Sequence, residues 1–323
     1  MSLASMAGGG RAAAQNAPPQ HSDPAKRPAG DPASRPGYWL PERKPVMEEL
    51  PGGATPAQGQ AAAASALQLE HILRGDPALA KPVGFVAGTN SSIGGDPSFG
   101  TAVPGDPIPS VVHLQIWEFA YGDSTDFQNV PWGLDVLVNQ PRCMRLRPVA
   151  SFGAKVTDSM FYKPRADGDV HGYPRYRAGP DEPGVIVMSR SSQPEWVPVS
   201  AERFLTYQIA AARSAGAIAG SGKVAELQAE LAHLAPAARQ APAMIDLSAT
   251  QPSGLAHEGE LLIAIVAPNP AFLDRALSRG APQVACVAGD PPGSGDSDFP
   301  QQLYEKMTGQ FPWQAVAGWL RGS

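Results

Sequence analysis

The chain is poor in charge, in cysteine and in long apolar runs, and each shortage narrows the functions it can have. Charged residues make up 17% of its 323 positions and the formal net charge is −5. It therefore lacks the basic surface with which proteins bind nucleic acid. The longest apolar run covers residues 261–268, far short of the roughly 20 residues that cross a bilayer. We expect neither a nucleic-acid partner nor a transmembrane segment.

The two cysteines, Cys143 and Cys286, are too few for a disulfide framework in a chain of this length. Cys286 lies in the strand-like run QVACVAG, and we predict that it is a small buried apolar side chain. A bridge between Cys143 and Cys286 stays open as an alternative if the chain is exported, because disulfides persist in oxidising compartments.

Proline and glycine are abundant, with 35 and 34 residues, and they are concentrated in loops and in the N-terminal quarter. Residues 1–36 show no apolar periodicity, so we predict no regular secondary structure there. Arg11 and the Ala-Ala-Ala-Gln that follows it resemble the small-residue end of a signal peptide, although no full apolar segment precedes them. We expect an exported protein, periplasmic or extracellular. The alternative is a cytoplasmic protein with an Ala/Gly-rich tail.

Strand patterns dominate the ordered part of the sequence. The clearest is at residues 111–119, where Val112, Leu114 and Ile116 alternate with His113 and Gln115. This period of two predicts that the three apolar side chains face the core and that the two polar ones face the other way. Shorter strands are predicted at residues 83–86, 134–138, 142–149, 185–188, 261–266 and 283–287. Alternation of this kind favours antiparallel pairing.

Helical patterns lie between and after these strands. We predict a helix from residue 61 to Arg74, a pair after Ser200 and over residues 223–235, a short helix opened by Asn269-Pro270, and a terminal helix over residues 311–320. The fold class is α+β: a mainly antiparallel sheet packed with a central helical pair and a C-terminal docking helix. Residues 1–58 are predicted to be a largely irregular leader and linker, and residues 59–323 a single domain.

The densest polar cluster is FYKPRADGDVHGYPRYR, at residues 161–177. Guanidinium forks beside phenols can clamp a carboxylate or a sugar. The candidate ligand-binding residues are Tyr162, Arg165, His171, Tyr173, Arg175 and Arg177. The alternative, which we favour, is a solvated hairpin with its tip at Asp167-Gly168. Period-two geometry would then send Tyr173, Arg175 and Arg177 to one face and Tyr176 to the other.

Motifs for catalysis, metal or cofactor binding are incomplete. His257-Glu258 begins like a zinc-protease helix, but Leu261 stands where the second histidine is needed. Residues 220–223, Gly-Ser-Gly-Lys, lack the other residues of a phosphate-binding loop, and we interpret them as a break between two helices. We predict no catalytic residue, no metal ligand and no cofactor.

The sequence thus favours a non-catalytic binding or interaction module of the cell envelope, with an unknown small molecule or protein as its partner. The alternative is a hydrolase whose site is assembled from distant residues near His113, His171 and the 161–177 loop. A deep cleft with a buried carboxylate beside His171 would favour the hydrolase.

Overall fold

The computed structural model describes residues 34–94, 105–119, 131–140, 143, 149, 160–163, 165–177, 184–214, 217–246, 255–256, 262–290 and 299–322. Its helices are α1 (Pro56–Arg74), α2 (Ala201–Ser214), α3 (Ala217–His233), α4 (Pro236–Gln240), α5 (Phe299–Gln310) and α6 (Trp313–Gly322). Its strands are β1 (Tyr38–Trp39), β2 (Val46–Met47), β3 (Phe85–Ile93), β4 (Ser110–Glu118), β5 (Trp132–Val138), β6 (Phe161–Tyr162), β7 (Arg165–Val170), β8 (Tyr173–Arg177), β9 (Val185–Ser189), β10 (Trp196–Pro198), β11 (Met244–Asp246), β12 (Leu262–Pro268) and β13 (Val284–Asp290).

These strands form two mostly antiparallel sheets, and the fold is α+β. The first sheet has nine strands in the order β1-β3-β4-β5-β13-β9-β8-β7, with β2 also beside β3. Its parallel pairs are those of β1 and β2 with β3. The second sheet runs β10-β12-β11, and β6 pairs with β12 as well.

One face of the nine-stranded sheet is covered by helices. Val112, Leu114 and Ile116 on β4 are at most 1% exposed and lie in one apolar cluster with side chains of α1, α5 and α6. We call this side the covered face. His113 and Gln115 alternate with them and are half-buried on the opposite face. The predicted orientation of these side chains is therefore confirmed.

The second sheet has its own core. Phe204, Leu205 and Ile209 of α2 cluster with Leu227 of α3 and Ile265 of β12. Residues 220–223, predicted as a break between helices, lie within α3. Glycine costs a helix interior about 1 kcal/mol, which lowers its stability without ending it.

The first helix begins earlier than the sequence pattern predicted, because Thr55 caps it. The Thr55 hydroxyl accepts from the Gln58 N–H at 3.3 Å, and the Gln58 side chain accepts from the Thr55 N–H at 2.9 Å. Pro56 occupies the first turn, where its missing N–H has no helical partner to lose. The helix thus starts inside the stretch predicted as linker.

Strand β3 is longer than the predicted 83–86, because polar residues hide its continuation. The hydroxyls of Thr89 and Ser91 donate to the two carboxylate oxygens of Glu70 at 2.8 and 2.7 Å. Glu70 lies on α1 and is 0% exposed. Hydrogen bonds of this kind let polar side chains enter a core, where period-two hydrophobicity no longer marks the strand.

The short helix predicted after Asn269 is wrong; residues 270–281 form a series of turns. Side chains accept from the backbone N–H groups of these turns. Asn269 accepts from the Ala271 N–H at 3.0 Å, and Asp274 accepts from the Ala276 N–H at 2.9 Å. Such local bonds compete with helix formation.

Cys286 is fully buried on β13, as predicted, and of the two alternatives left open for it the structure has the bridge. It forms a disulfide with Cys143, with 6.1 Å between the Cα atoms. The strand predicted at 142–149 falls mostly outside the described residues. Cys143 itself follows a turn in which its N–H donates to the Gln140 carbonyl at 2.9 Å.

Two short strands tie the segment before α1 to the first sheet. Tyr38 and Trp39 pair with β3, the Trp39 indole donates to the Leu79 carbonyl at 3.0 Å, and Leu40 is 8% exposed. The prediction of an unstructured N-terminus concerns mainly residues 1–33, which lie outside the described part. The division at residue 58 stays a prediction.

Candidate functional site

The 161–177 stretch is divided between the two sheets instead of forming one loop. Tyr162 lies on β6, which pairs with β12, and its ring packs in the second core. Arg165 opens β7 in the first sheet, and its backbone pairs with Arg177. The Arg165 side chain lies outside the described part.

The β7–β8 hairpin turns at His171-Gly172, not at the predicted Asp167-Gly168. His171 and Gly172 have φ angles of 53° and 88°, the positive values that a two-residue type I′ turn requires. At Asp167-Gly168 the pairing instead shifts register, and Gly168 has a φ of 88°. This is the geometry of a bulge, for which a glycine is well suited.

Arg175 and Arg177 are both engaged within the hairpin. The Arg175 guanidinium donates to the Asp167 carbonyl at 3.0 Å and lies 3.2 Å from its carboxylate, which Arg177 also contacts. The two arginines therefore share one face, as period two predicts. Tyr176 lies on the other face beside Glu195, at 3.4 Å. Both arginines are therefore engaged by Asp167, whose single carboxylate offsets one of their two charges.

His171 and Tyr173 pack on the helical side of the sheet. The His171 ring stacks on Trp313 at the start of α6, with centroids 5.7 Å apart and planes 28° apart. Tyr173 lies 6.3 Å from the same indole. Apart from Arg165, the predicted site residues thus lie in three places: the second core, the Asp167 ion pairs and the Trp313 contact.

A second polar group lies on the face opposite the helices, and the sequence singled out only one of its residues, His113, as a candidate. Asn90, His113, Gln115 and Asp135 lie on three adjacent strands, β3, β4 and β5, and we call them the polar strip. His113 Nδ1 lies 2.7 Å from Asp135 Oδ1, and the Asn90 amide donates to Gln115 Oε1 at 2.7 Å. The His113 and Asp135 side chains are 34% and 43% exposed.

Strand register brings these residues together. Asn90 lies opposite His113, and His113 lies opposite Asp135, so the three form one row across the sheet. Gln115 follows two residues along β4 on the same face. The alternation in β4 predicted where His113 and Gln115 point. Which residues of β3 and β5 stand opposite them depends on strand pairing, which the local pattern does not contain.

The protonation of the strip follows from its partners. An ionised carboxylate only accepts hydrogen bonds, so the proton in the His113–Asp135 contact lies on Nδ1. Among the described residues, Nε2 of His113 has no hydrogen-bond partner. The Asn90–Gln115 pair consumes one amide N–H and one carbonyl. It leaves three amide N–H groups and one carbonyl for other contacts, whichever way the amides are turned.

Apolar clusters border the strip on both sides. Toward β1, Leu40, Val86, Trp117 and Phe119 form one cluster, and the Trp117 ring lies over Gly88, where a Cβ would stand 3.0 Å from it. Toward β13, a second cluster contains Cys286. The strip thus lies on the sheet between two apolar clusters.

The hydrolase site predicted near both histidines is not assembled as one site. His113 and His171 lie on opposite faces of the sheet, and β4 and β8 are four strand spacings apart, or about 19 Å. One groove in the described part, of about 360 Å³, lies elsewhere, between Gln68, His71 and Ile72 of α1 and Trp319 of α6.

Carboxyl groups with perturbed pKa values lie away from the strip. Burial raises the pKa of Asp76 to about 6, against the opposing effects of the Ala78 N–H and of Lys306. Burial raises the pKa of Glu195, and burial together with Glu195 raises the pKa of Tyr176 to about 12. None of these three groups belongs to the polar strip.

Within the described ranges, no three or more His, Cys, Asp or Glu side chains are grouped so that they could hold a metal ion. In the same ranges every helix is too short or too polar to cross a bilayer. No family model, curated protein or solved structure matches this chain.

Proposed function

We propose that this protein is a non-catalytic binding module that takes a small polar ligand at the polar strip. The observation that carries the proposal is the strip itself: four half-buried polar side chains on three adjacent strands, held by two 2.7 Å contacts. Strand positions and mutual hydrogen bonds fix the side chains before a ligand binds, which lowers the entropy cost of binding.

We also propose that the protein is exported and works in the cell envelope. The Cys143–Cys286 disulfide supports this compartment, because disulfides are rare in reducing cytoplasm. Fractionation of the native host with an antibody against the protein tests it. A cytoplasmic location with both thiols reduced would contradict the proposal.

In this proposal the helices are the scaffold for the two sheets. The α2–α3 pair, whose side chains share a core with β11 and β12, would be the central helical pair. The terminal helix α6, with Trp313, Val316 and Leu320 in the first core, would be the docking helix.

A second candidate function, hydrolysis, is favoured by one observation. The His113 Nδ1–Asp135 contact of 2.7 Å is the orientation in which a carboxylate holds an imidazole as a general base. His113 Nε2 would then take a proton from an attacking water or hydroxyl group. Activity on activated esters that His113→Ala and Asp135→Asn both abolish would favour hydrolysis over simple binding.

Thermal unfolding of the full chain against a panel of small polar molecules tests the binding proposal. A ligand of the native state stabilises it by about 2.7 kcal/mol at a hundred times its dissociation constant. We expect such a ligand, and we expect His113→Ala to abolish its effect. His233→Ala is the matched control, since His233 is exposed at the end of α3. Equal stabilisation of both variants would contradict binding at the strip.

A further inference from the structure

We propose that the ligand of the polar strip is a neutral, polyhydroxylated molecule of the carbohydrate class. This inference rests on the proposed function and adds the chemistry of the ligand. It follows from the hydrogen-bonding groups that the strip leaves unused, from their spacing and from the charge around them.

The unused groups include both donors and acceptors. After the two internal contacts, the strip offers Asp135 Oδ2 and one amide carbonyl as acceptors, three amide N–H groups as donors, and His113 Nε2, which accepts in the neutral imidazole and donates in the protonated one. A ligand that satisfies this set must both donate and accept several hydrogen bonds. Hydroxyl groups do both, so a molecule with several hydroxyls fits the whole set.

The spacing of these groups suits a compact ring. Three adjacent strands span about 10 Å, and the step from His113 to Gln115 along β4 is about 7 Å. The strip therefore covers the area of one or two sugar rings. Its side chains are planar amides, an imidazole and a carboxylate, whose lone pairs and N–H groups have fixed directions. Fixed directions let a site distinguish hydroxyl arrangements.

Charge argues against the two ionic alternatives. Asp135 repels an anion, and the strip contains no lysine or arginine to offset it. A quaternary ammonium group is usually held by exposed aromatic faces, and a primary ammonium group would have in the strip only the Asp135 carboxylate as an anionic partner. The aromatic rings beside the strip, Trp117 and Phe119, are only 2% and 8% exposed. The Asp135 charge is moreover already shared with the His113 N–H.

Titration calorimetry on the full chain tests the ligand class. The probes are four neutral disaccharides (maltose, cellobiose, lactose and sucrose), with putrescine as a cationic probe and succinate as an anionic one. The variants are Asp135→Asn and Gln115→Ala. Glu226→Gln is the control, because its side chain is 64% exposed on α3. Unfolding midpoints within a few degrees of the wild type show that each variant is folded.

We expect at least one disaccharide to bind, and we expect both strip variants to weaken it by tenfold or more, since each removes a partner that a ligand hydroxyl needs. The control should bind as the wild type does. Binding of putrescine or succinate, lost in the strip variants, would overturn the carbohydrate class and leave the proposed function standing. Disaccharide binding that both variants retain, or no binding by any probe, would overturn both.

Discussion

The two faces of the nine-stranded sheet are built from the same strands but have different composition and burial. On β4, Leu114 is 1% exposed against the helices, while its neighbour His113 is 34% exposed on the other side. The comparison shows that alternation within one strand separates the side chains that hold the fold from those that are available to a ligand.

Polar groups on the two faces also differ in how completely they are used. On the covered face, Glu70 is fully buried and both of its oxygens accept from hydroxyls of β3. On the opposite face, the His113–Asp135 and Asn90–Gln115 contacts each leave groups that have no partner among the residues that the structure describes. A satisfied buried network supports the fold, whereas half-exposed spare groups are what a ligand needs.

The largest effect is expected on the covered face. Leu114→Ala should lower the free energy of unfolding by about 2–5 kcal/mol, the cost of truncating a buried leucine. Gln115→Ala, one residue along on the other face, should change it by less than about 0.5 kcal/mol. Urea denaturation measures both. Similar losses for the two variants would remove the distinction between the faces.

The second-largest effect on stability is expected when the disulfide is removed. Replacing Cys143 and Cys286 by alanine should cost about 2–4 kcal/mol, because the bond closes a loop with a sequence separation of 143 residues. Urea denaturation of the oxidised protein, the reduced protein and the double variant measures the effect. If the oxidised protein is no more stable than the reduced one, the disulfide does not stabilise the fold.

The pH dependence of the free energy of unfolding distinguishes a buried carboxyl group from an exposed one. Asp76 is 0% exposed, and burial raises its pKa from the ordinary 3.8 to about 6. The folded state therefore keeps this proton longer than the unfolded state, and the free energy of unfolding should fall as pH rises from about 4 to about 6. The fall is at most about 3 kcal/mol, since one pKa unit corresponds to about 1.4 kcal/mol.

Asp76→Asn isolates this contribution, because its side-chain carbonyl can still accept from the Ala78 N–H. Glu118 and Glu195 also have raised pKa values, so part of the slope should remain. Asp135→Asn, on the half-exposed strip, is the comparison. A slope between pH 4 and 6 that Asp76→Asn leaves unchanged would assign the titration to other groups.

The smallest effect on stability is expected at the strip. His113→Ala should change the free energy of unfolding by less than about 1 kcal/mol, as partly exposed ion pairs contribute little. Thermal unfolding without ligand checks this. A larger loss would mean that His113 supports the fold, and its effect on ligand binding would then need to be separated from unfolding.

Local patterns predicted the strands that obey simple alternation and much of α1, α2 and α3, but they missed α5. They failed where side-chain hydrogen bonds replace apolar burial. Thr89 and Ser91 concealed most of β3, and Asn269 and Asp274 turned a predicted helix into turns. The hairpin tip was misplaced because Asp-Gly is the stronger local signal, while His171-Gly172 has the required φ angles.

The candidate site was harder to predict than the fold. His113 was singled out, and its direction followed from β4. Its partner Asp135 lies 22 positions away, and only the β4–β5 register brings the two together. The arginines of 161–177 gave the strongest composition signal, but Asp167 from the same hairpin already engages Arg175 and Arg177. Composition does not show which charges are compensated within the chain.

The most direct test of the account is to map a bound ligand on the protein by amide chemical shifts, using the molecule that stabilises the wild type most. We predict that the largest changes fall on Asn90, His113, Gln115 and Asp135, and that they disappear in His113→Ala while the rest of the spectrum is kept. Changes centred on Trp319 and His71 of the α1–α6 groove, or on the β7–β8 hairpin, would contradict the assignment of binding to the polar strip.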